Sequence, residues 1–303
     1  MAKIAVELEQ ALARRRHDGA PGRTTPRVLA RGDGWTVADV MCTAGPQDRP
    51  YEERHTHCTI AIVIAGSFQY RSPVGYRLMT PGSLMLGSAG RCFECSHQHG
   101  EGDRCIAFWY AADYFERLAT AAGARGRHVG FTVSGLPPMR PLSPLIARAA
   151  AGAVGWPGVA WDELAVSLAV GTVRLVAGVS SEQRGSPVNA EARVSRAVRA
   201  IDRHPDAALS LGTLAKESGL SPYYFLRTFE GLTGLTPHQY VRRARLREAA
   251  TRLLTEPGKV LDLALDCGFG DVSNFNRAFR AEFGGSPRMF RGTSRESDNQ
   301  HAC

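Results

Sequence analysis

The sequence has no long hydrophobic run. Its uninterrupted apolar stretches, residues 60–65 for example, fall far short of the ~20 residues that a membrane-spanning helix needs. Residues 1–16 are polar and end on Arg14, Arg15 and Arg16, so they lack the apolar centre of a secretory signal. Cysteine is sparse: seven in 303 residues, an odd number spread along the chain, do not make a secreted disulfide framework and fit a reducing compartment. These absences point to a cytoplasmic protein with no membrane partner. No Gly-rich phosphate loop or nucleophile motif stands out, and His128, Cys42 and Cys303 are isolated along the chain, so the expectation is a protein that is not an enzyme.

What is present describes a folded chain with room for two domains, at 44% hydrophobic and 22% charged residues. The formal charge of +8 suggests a polyanionic partner, and its distribution sharpens the point. Residues 190–294 hold sixteen Lys or Arg against eleven Asp or Glu, so about a third of the chain carries +5 of the +8.

Residues 59–65, 67–71, 83–86 and 105–110 favour β-structure and are separated by Gly66, Pro73, Gly75, Pro81, Gly82 and Gly87. Short strands at such spacing predict a β-barrel or sandwich. Beyond Asp113 the pattern becomes helical over 142–151 and 162–177, the second stretch carrying Leu164, Leu168, Gly171 and Leu175 near one face. That stripe has two equal readings, a dimer seam or a face packed on the β-domain. Residues 180–189 are polar and hold Gly and Pro, as linkers do. The expected organisation is an N-terminal arm (1–26), a β-domain (27–112), a helical dimerisation segment (113–179), a linker (180–189), an all-α domain (190–294) and a tail (295–303).

The all-α part contains an internal repeat. Ala215, Gly219, Phe225, Arg227, Phe229, Gly234 and Pro237 recur in order as Ala264, Gly268, Phe275, Arg277, Phe279, Gly284 and Pro287, offset by 49 residues before the turn and 50 after it. Each copy has the physics of a helix-turn-helix. A short helix leaves at a glycine suited to positive φ (Gly219, Gly268), and Ser221 or Asp271 caps the next helix. In that second helix Phe225, Phe229 and Leu232, or Phe275, Phe279 and Phe283, recur at helical spacing and face a core. The other face carries Tyr223, Tyr224, Arg227 and Glu230, or Ser273, Asn274, Asn276, Arg277 and Arg280, side chains able to reach bases and phosphates. Between the copies, residues 237–254 read as one helix capped by Thr236. Its run of Arg242, Arg243, Arg245 and Arg247 is either a phosphate-contacting stripe or a solvated face bridged to Glu248.

The stretches LGTLAKESGLSPYYFLRTFEGLTGLTPHQYVRRARLREAATRLL and VLDLALDCGFGDVSNFNRAFRAEFGGSPRMFR resemble the DNA-binding domain of the AraC/XylS family of transcription regulators. The resemblance covers about a hundred residues and implies that Tyr223, Leu226 and Arg227, with Ser273, Asn276 and Arg277, face the bases. Leu226 departs from the polar residue common at its place, which implies apolar contact such as a thymine methyl. Residues 54–100, with RHTHCTIAIVIAGSF and TPGSLML, resemble that family's cupin-like sensor domain. The resemblance then implies a homodimer, a small-molecule effector in the sensor domain, double-stranded promoter DNA and RNA polymerase as partners, and an activator.

A second function class stays open for the N-terminal half. His55 and His57, two apart on an expected strand, with Cys92, Cys95, His97, His99 and Cys105 beyond them, offer the ligand types of Zn or another transition metal. This would make a metal- or thiol-responsive sensor. The same residues also admit a metal-dependent cupin enzyme fused to a DNA-binding tail, or a repair protein with reactive cysteines. Residues 60–66 lack the carboxylate that a metal-using cupin places after its two histidines, which counts against the enzyme.

Overall fold

The computed structural model describes residues 2–50, 52–124, 130–177 and 188–292; His128, most of the expected linker, and the tail with Cys303 lie outside the described residues. The chain is a mixed helix-and-sheet protein. One sheet has six strands in the order β1 (Thr24–Gly32), β2 (Trp35–Cys42), β9 (Asp103–Tyr110), β4 (Cys58–Gly66), β7 (Leu84–Gly87) and β10 (Gly135–Leu136). The other has four, in the order β3 (Glu52–Arg54), β8 (Cys92–Ser96), β5 (Phe68–Ser72) and β6 (Gly75–Met79).

The alternation of side chains along a strand explains how these sheets stack. On β4 and β9, Ile60, Ile62, Ile64, Ile106, Phe108 and Tyr110 face a helical layer built from α1 (Ala2–Asp18), α2 (Ala112–Ala121), α3 (Ser143–Ala153) and α4 (Trp161–Val176). Ala61, Val63, Cys105 and Ala107 point the other way, towards Phe68 and Tyr70 of the small sheet. The six-stranded sheet is thus buried on both faces, which is why β4 reads as a continuous apolar run rather than an alternating one.

Two expectations change here. The first 26 residues are not a bare arm: α1 lays Ile4, Leu8 and Leu12, spaced by one helical turn, into the main core. The stripe on α4 is not an open seam, because Leu164 and Leu168 are buried against the same core and Tyr110 donates its hydroxyl proton to the Ala165 carbonyl at 2.8 Å. Packing on the sheet wins because a bare apolar stripe beside an uncovered sheet face buries most area by covering it.

The last part is all helical: α5 (Val188–Arg203), α6 (Leu211–Glu217), α7 (Pro222–Thr233), α8 (Pro237–Thr255), α9 (Val260–Asp266) and α10 (Val272–Phe283). Two aromatic cores hold it. Phe225 and Phe229 pack with Tyr240 and Val198, and Phe275, Phe279 and Phe283 pack with Phe269 and Phe290. The two halves of the chain are joined by side chains. Glu282 of α10 is buried, accepting from Ser143 at 2.6 Å and facing Arg243 at 3.3 Å and Arg140 at 3.4 Å. Ala147 and Ala151 of α3 share a core with Leu246 and Leu253 of α8.

Candidate nucleic-acid interface and sensor cavity

Local chemistry sets both helix-turn-helix units. Gly219 and Gly268 turn at φ +63° and +84°, the left-handed region that a side chain disfavours. A Cβ at Gly268 would also stand 2.8 Å from the Asp206 backbone, so the turn requires glycine twice over. Ser221 accepts from the Tyr224 amide at 3.4 Å and Asp271 from the Asn274 amide at 2.6 Å, giving α7 and α10 their N-caps. Thr236 and Gln239 form a reciprocal capping box at the start of α8. Gly234 and Gly284 end α7 and α10 in the left-handed conformation. Ala215 and Ala264, both buried, let the first helix of each unit approach the second.

The two units present their polar faces outward. Tyr223 and Tyr224 are 68% and 49% exposed, Arg227 is exposed, and Leu226 is half-buried. On α10, Ser273, Asn274, Asn276, Arg277 and Arg280 are all exposed, while Phe275 and Phe279 beneath them are fully buried. Arg227 donates to the Tyr223 hydroxyl at 3.3 Å, whereas Arg277 has no hydrogen bond or ion pair among the described residues. Between the units runs α8, nineteen residues and so about 28 Å long.

The arginine run on α8 divides. Arg245 donates to the carbonyls of Pro205, Gly268 and Ala207 at 2.6, 2.7 and 2.9 Å, lashing the two units together. Arg243 reaches the Pro138 carbonyl and Glu282, and Arg247 faces Asp202 at 3.4 Å beneath the Tyr240 ring. Only Arg242 of the four has no such inward tie among the described residues. Glu248 is itself buried, so neither a four-residue phosphate stripe nor a solvated face describes the run. A guanidinium that satisfies several orphan carbonyls at once outcompetes exposure to solvent.

Between the two sheets lies a cavity of about 630 Å³. It exists because the residues facing inward from the large sheet are mostly small, among them Cys42, Thr59, Ala61, Cys105 and Ala107. That volume falls within the range of small-molecule sites. Of the six residues expected at a sensor site, His55, His57, Cys95 and His97 line it; His99 lines a separate cavity of about 430 Å³ beside α1 and α5, and Cys92 lines neither.

Several of those expectations are corrected. His55 and His57 do not share a strand face, because the chain bends through residues 55–57 between β3 and β4. His55 is buried, hydrogen-bonded through Nε2 to the Tyr70 hydroxyl at 2.9 Å and stacked on Phe93; burial pushes its imidazole down to about 4. His57 is exposed and pairs with Thr56 at 2.8 Å. Cys92 and Cys95 sit three apart on β8, and in a strand that spacing sends them to opposite faces. Cys42, which looks isolated in the sequence, is placed opposite Asp103 across the β2–β9 ladder. Asp103 brings a carboxylate into this wall of the cavity, where residues 60–66 have none. Cys42, His97 and Asp103 bring a sulfur, a nitrogen and an oxygen to within 4.8 Å of one another.

His97 donates through Nε2 to Asp103 Oδ1 at 2.7 Å, both side chains being nearly buried. Burial alone would lower the imidazole, but its hydrogen bonds to Asp103 and Cys42 and their charge raise it to about 10. Cys105 donates to Asp103 Oδ2 at 3.3 Å, and burial followed by that carboxylate holds its thiol well above the ordinary value. Nothing local in the sequence joins Cys42 to Asp103; the signal is the pairing of two strands far apart in the chain.

A helix-turn-helix domain family profile matches residues 214–293, which contain α7 to α10. The regulatory protein SoxS of Salmonella typhimurium is 38% identical over 91 residues, 30% of this chain and 85% of that protein. The transcriptional activator RhaS of Escherichia fergusonii is 36% identical over 103 residues, 34% of this chain and 37% of that protein. Among solved structures, ToxT from Vibrio cholerae is 12% identical with a TM-score of 0.35, covering 86% of this chain and 98% of that one. No helix among the described residues is long and apolar enough to cross a membrane. With two capped helix-turn-helix units and a relative such as SoxS matched over most of its length, the chain belongs to the AraC/XylS family of sequence-specific DNA-binding transcription regulators.

Proposed function

We propose that this regulator reads DNA with α7 and α10, inserted into neighbouring segments of the major groove, and that a small molecule in the inter-sheet cavity controls it. The observation that carries the DNA reading is the pairing of an exposed polar face with a buried aromatic face on both helices. A bidentate Arg or Asn contact discriminates between bases by ~1–3 kcal/mol. Arg277, Asn276 and Ser273 on α10 therefore do most of the base reading. Tyr223, Tyr224, Leu226 and Arg227 on α7 make a more apolar surface that reads less and positions more. Asn274 and Arg280, at the flanks of α10, reach phosphates. The rod of α8, about 28 Å long, sets the two helices at a separation near one turn of duplex, ~34 Å.

Family membership supports an activator that contacts RNA polymerase as a homodimer. Because Leu164 and Leu168 are already used inside the monomer, that dimer needs another surface. The size and the mixed polar lining of the inter-sheet cavity support the cupin-like sensor reading of the β-domain.

Selection of bound duplexes from a random DNA library, followed by footprinting, tests the DNA reading. The expected result is a single enriched motif with two protected major-groove segments about one turn apart. Enrichment of no sequence over bulk DNA would sink it.

A further inference from the structure

We propose that Cys42, His97 and Asp103 form a metal site for a Zn²⁺-class divalent cation in the wall of the inter-sheet cavity. The proposal deepens the sensor reading and rests on it for its regulatory meaning, although the cation site itself does not depend on DNA binding.

Three elements converge to build it. Cys42 ends β2, Asp103 begins β9 directly opposite, and His97 follows the last residue of β8 in the other sheet. Their candidate ligand atoms lie within 4.8 Å of one another, and all three residues line the cavity. For tetrahedral Zn²⁺, with bonds of about 2.0–2.3 Å, neighbouring donors stand roughly 3.3–3.8 Å apart. The 2.7 Å hydrogen bond between His97 and Asp103 is therefore tighter than a coordinated pair, and opening it by about half an ångström makes room for the ion.

The donor chemistry selects the class of ion. A thiol, an imidazole and a carboxylate together suit borderline Zn²⁺ or Co²⁺, while Ca²⁺ and Mg²⁺ require oxygen shells. Cys105, donating to the second oxygen of Asp103 at 3.3 Å, supplies the outer-shell contact that orients a ligating carboxylate. A structural Zn²⁺ site takes four protein ligands, and three leave a position open. Because all three residues line the cavity, water or a donor atom of the effector would supply the fourth donor.

A buried His–Asp ion pair with a neighbouring thiol is the competing description. In that description the protein takes up no Co²⁺ at this place, and Cys42 ligates nothing. The two differ in what a thiolate-reporting ion shows.

The full chain, stripped with chelator under reducing conditions, is titrated with Co²⁺ and followed by absorbance. The expected result is one equivalent bound, with a thiolate-to-cobalt charge-transfer band and the intense visible bands of a tetrahedral ion, both lost when Zn²⁺ is added. Cys42→Ser abolishes the charge-transfer band, and Asp103→Asn and His97→Gln weaken binding by at least about 10- to 100-fold, the loss that removing an outer-shell partner alone produces. Cys92→Ser, off the cavity on β8, keeps the wild-type spectrum. Melting of each metal-free variant identifies any that fails to fold, and those that melt as wild type decide the matter. A wild-type protein that binds no Co²⁺, or a charge-transfer band that survives in Cys42→Ser, overturns the proposal. DNA affinity measured on the metal-free protein separates this failure from a failure of the regulator reading.

Discussion

Arg277 and Arg245 are both arginines of the DNA-binding half, yet truncating them is expected to fail in opposite ways. Arg277 is exposed on α10 and makes no hydrogen bond or ion pair among the described residues, so Arg277→Ala leaves the fold intact. If it reads a base, the variant loses ~1–3 kcal/mol on the selected operator, about 5- to 150-fold in Kd, and much less on unrelated duplex. Arg245 is tied to three backbone carbonyls at 2.6–2.9 Å. Hydrogen bonds from a charged donor contribute ~1.5–3 kcal/mol each before discounting for partial exposure. Arg245→Ala is thus expected to cost on the order of 3 kcal/mol of stability, a fall in Tm of roughly 6–12 °C. Fluorescence anisotropy on specific and scrambled duplexes, with a thermal melt of each variant, reads both quantities. An Arg277→Ala protein with wild-type operator affinity refutes the base-reading assignment, and an equal loss on every sequence converts it to a phosphate contact. An Arg245→Ala protein that melts as wild type but binds DNA weakly refutes the structural role.

Three further outcomes follow from packing and charge. Phe279→Ala removes a fully buried ring touching Phe275, Phe283 and Phe290, and is expected to cost ~3–5 kcal/mol in a denaturant titration, from lost apolar burial together with the cavity left behind. Gly268→Ala combines a φ of +84° with a Cβ 2.8 Å from the Asp206 backbone, so it should destabilise by more than the ~1–2 kcal/mol of left-handed strain alone; an unchanged melt contradicts the turn geometry. For His55, burial lowers the folded imidazole to about 4 from the usual 6.5, so between those values the unfolded chain binds more protons and stability falls as pH is lowered. The ceiling is about 3 kcal/mol, and His55→Gln, which keeps a partner for Tyr70, should flatten the stability profile between pH 6.5 and 4.

The DNA-binding half was legible in the sequence because its determinants are local. A cap such as Ser221 lies three residues from the amide it satisfies, and Gly219 sets its own φ. The phenylalanines at 225 and 229 find each other one turn apart. The 49- and 50-residue repeat doubled every one of those signals. Helix α1 carried a similar signal in Ile4, Leu8 and Leu12, masked by the surrounding charge.

The sequence by itself determined that this protein is a tandem helix-turn-helix regulator, and which faces of α7 and α10 are polar. Only the tertiary structure decided which arginines of α8 turn inward, because the carbonyls and carboxylates they bind belong to distant turns and helices. It alone dispersed the expected grouping of His55, His57, Cys92, Cys95, His97 and His99, and set His97 beside Cys42 and Asp103. The strand period of two separates a Cys-x-x-Cys pair, whereas ladder register brings together residues that no spacing rule connects.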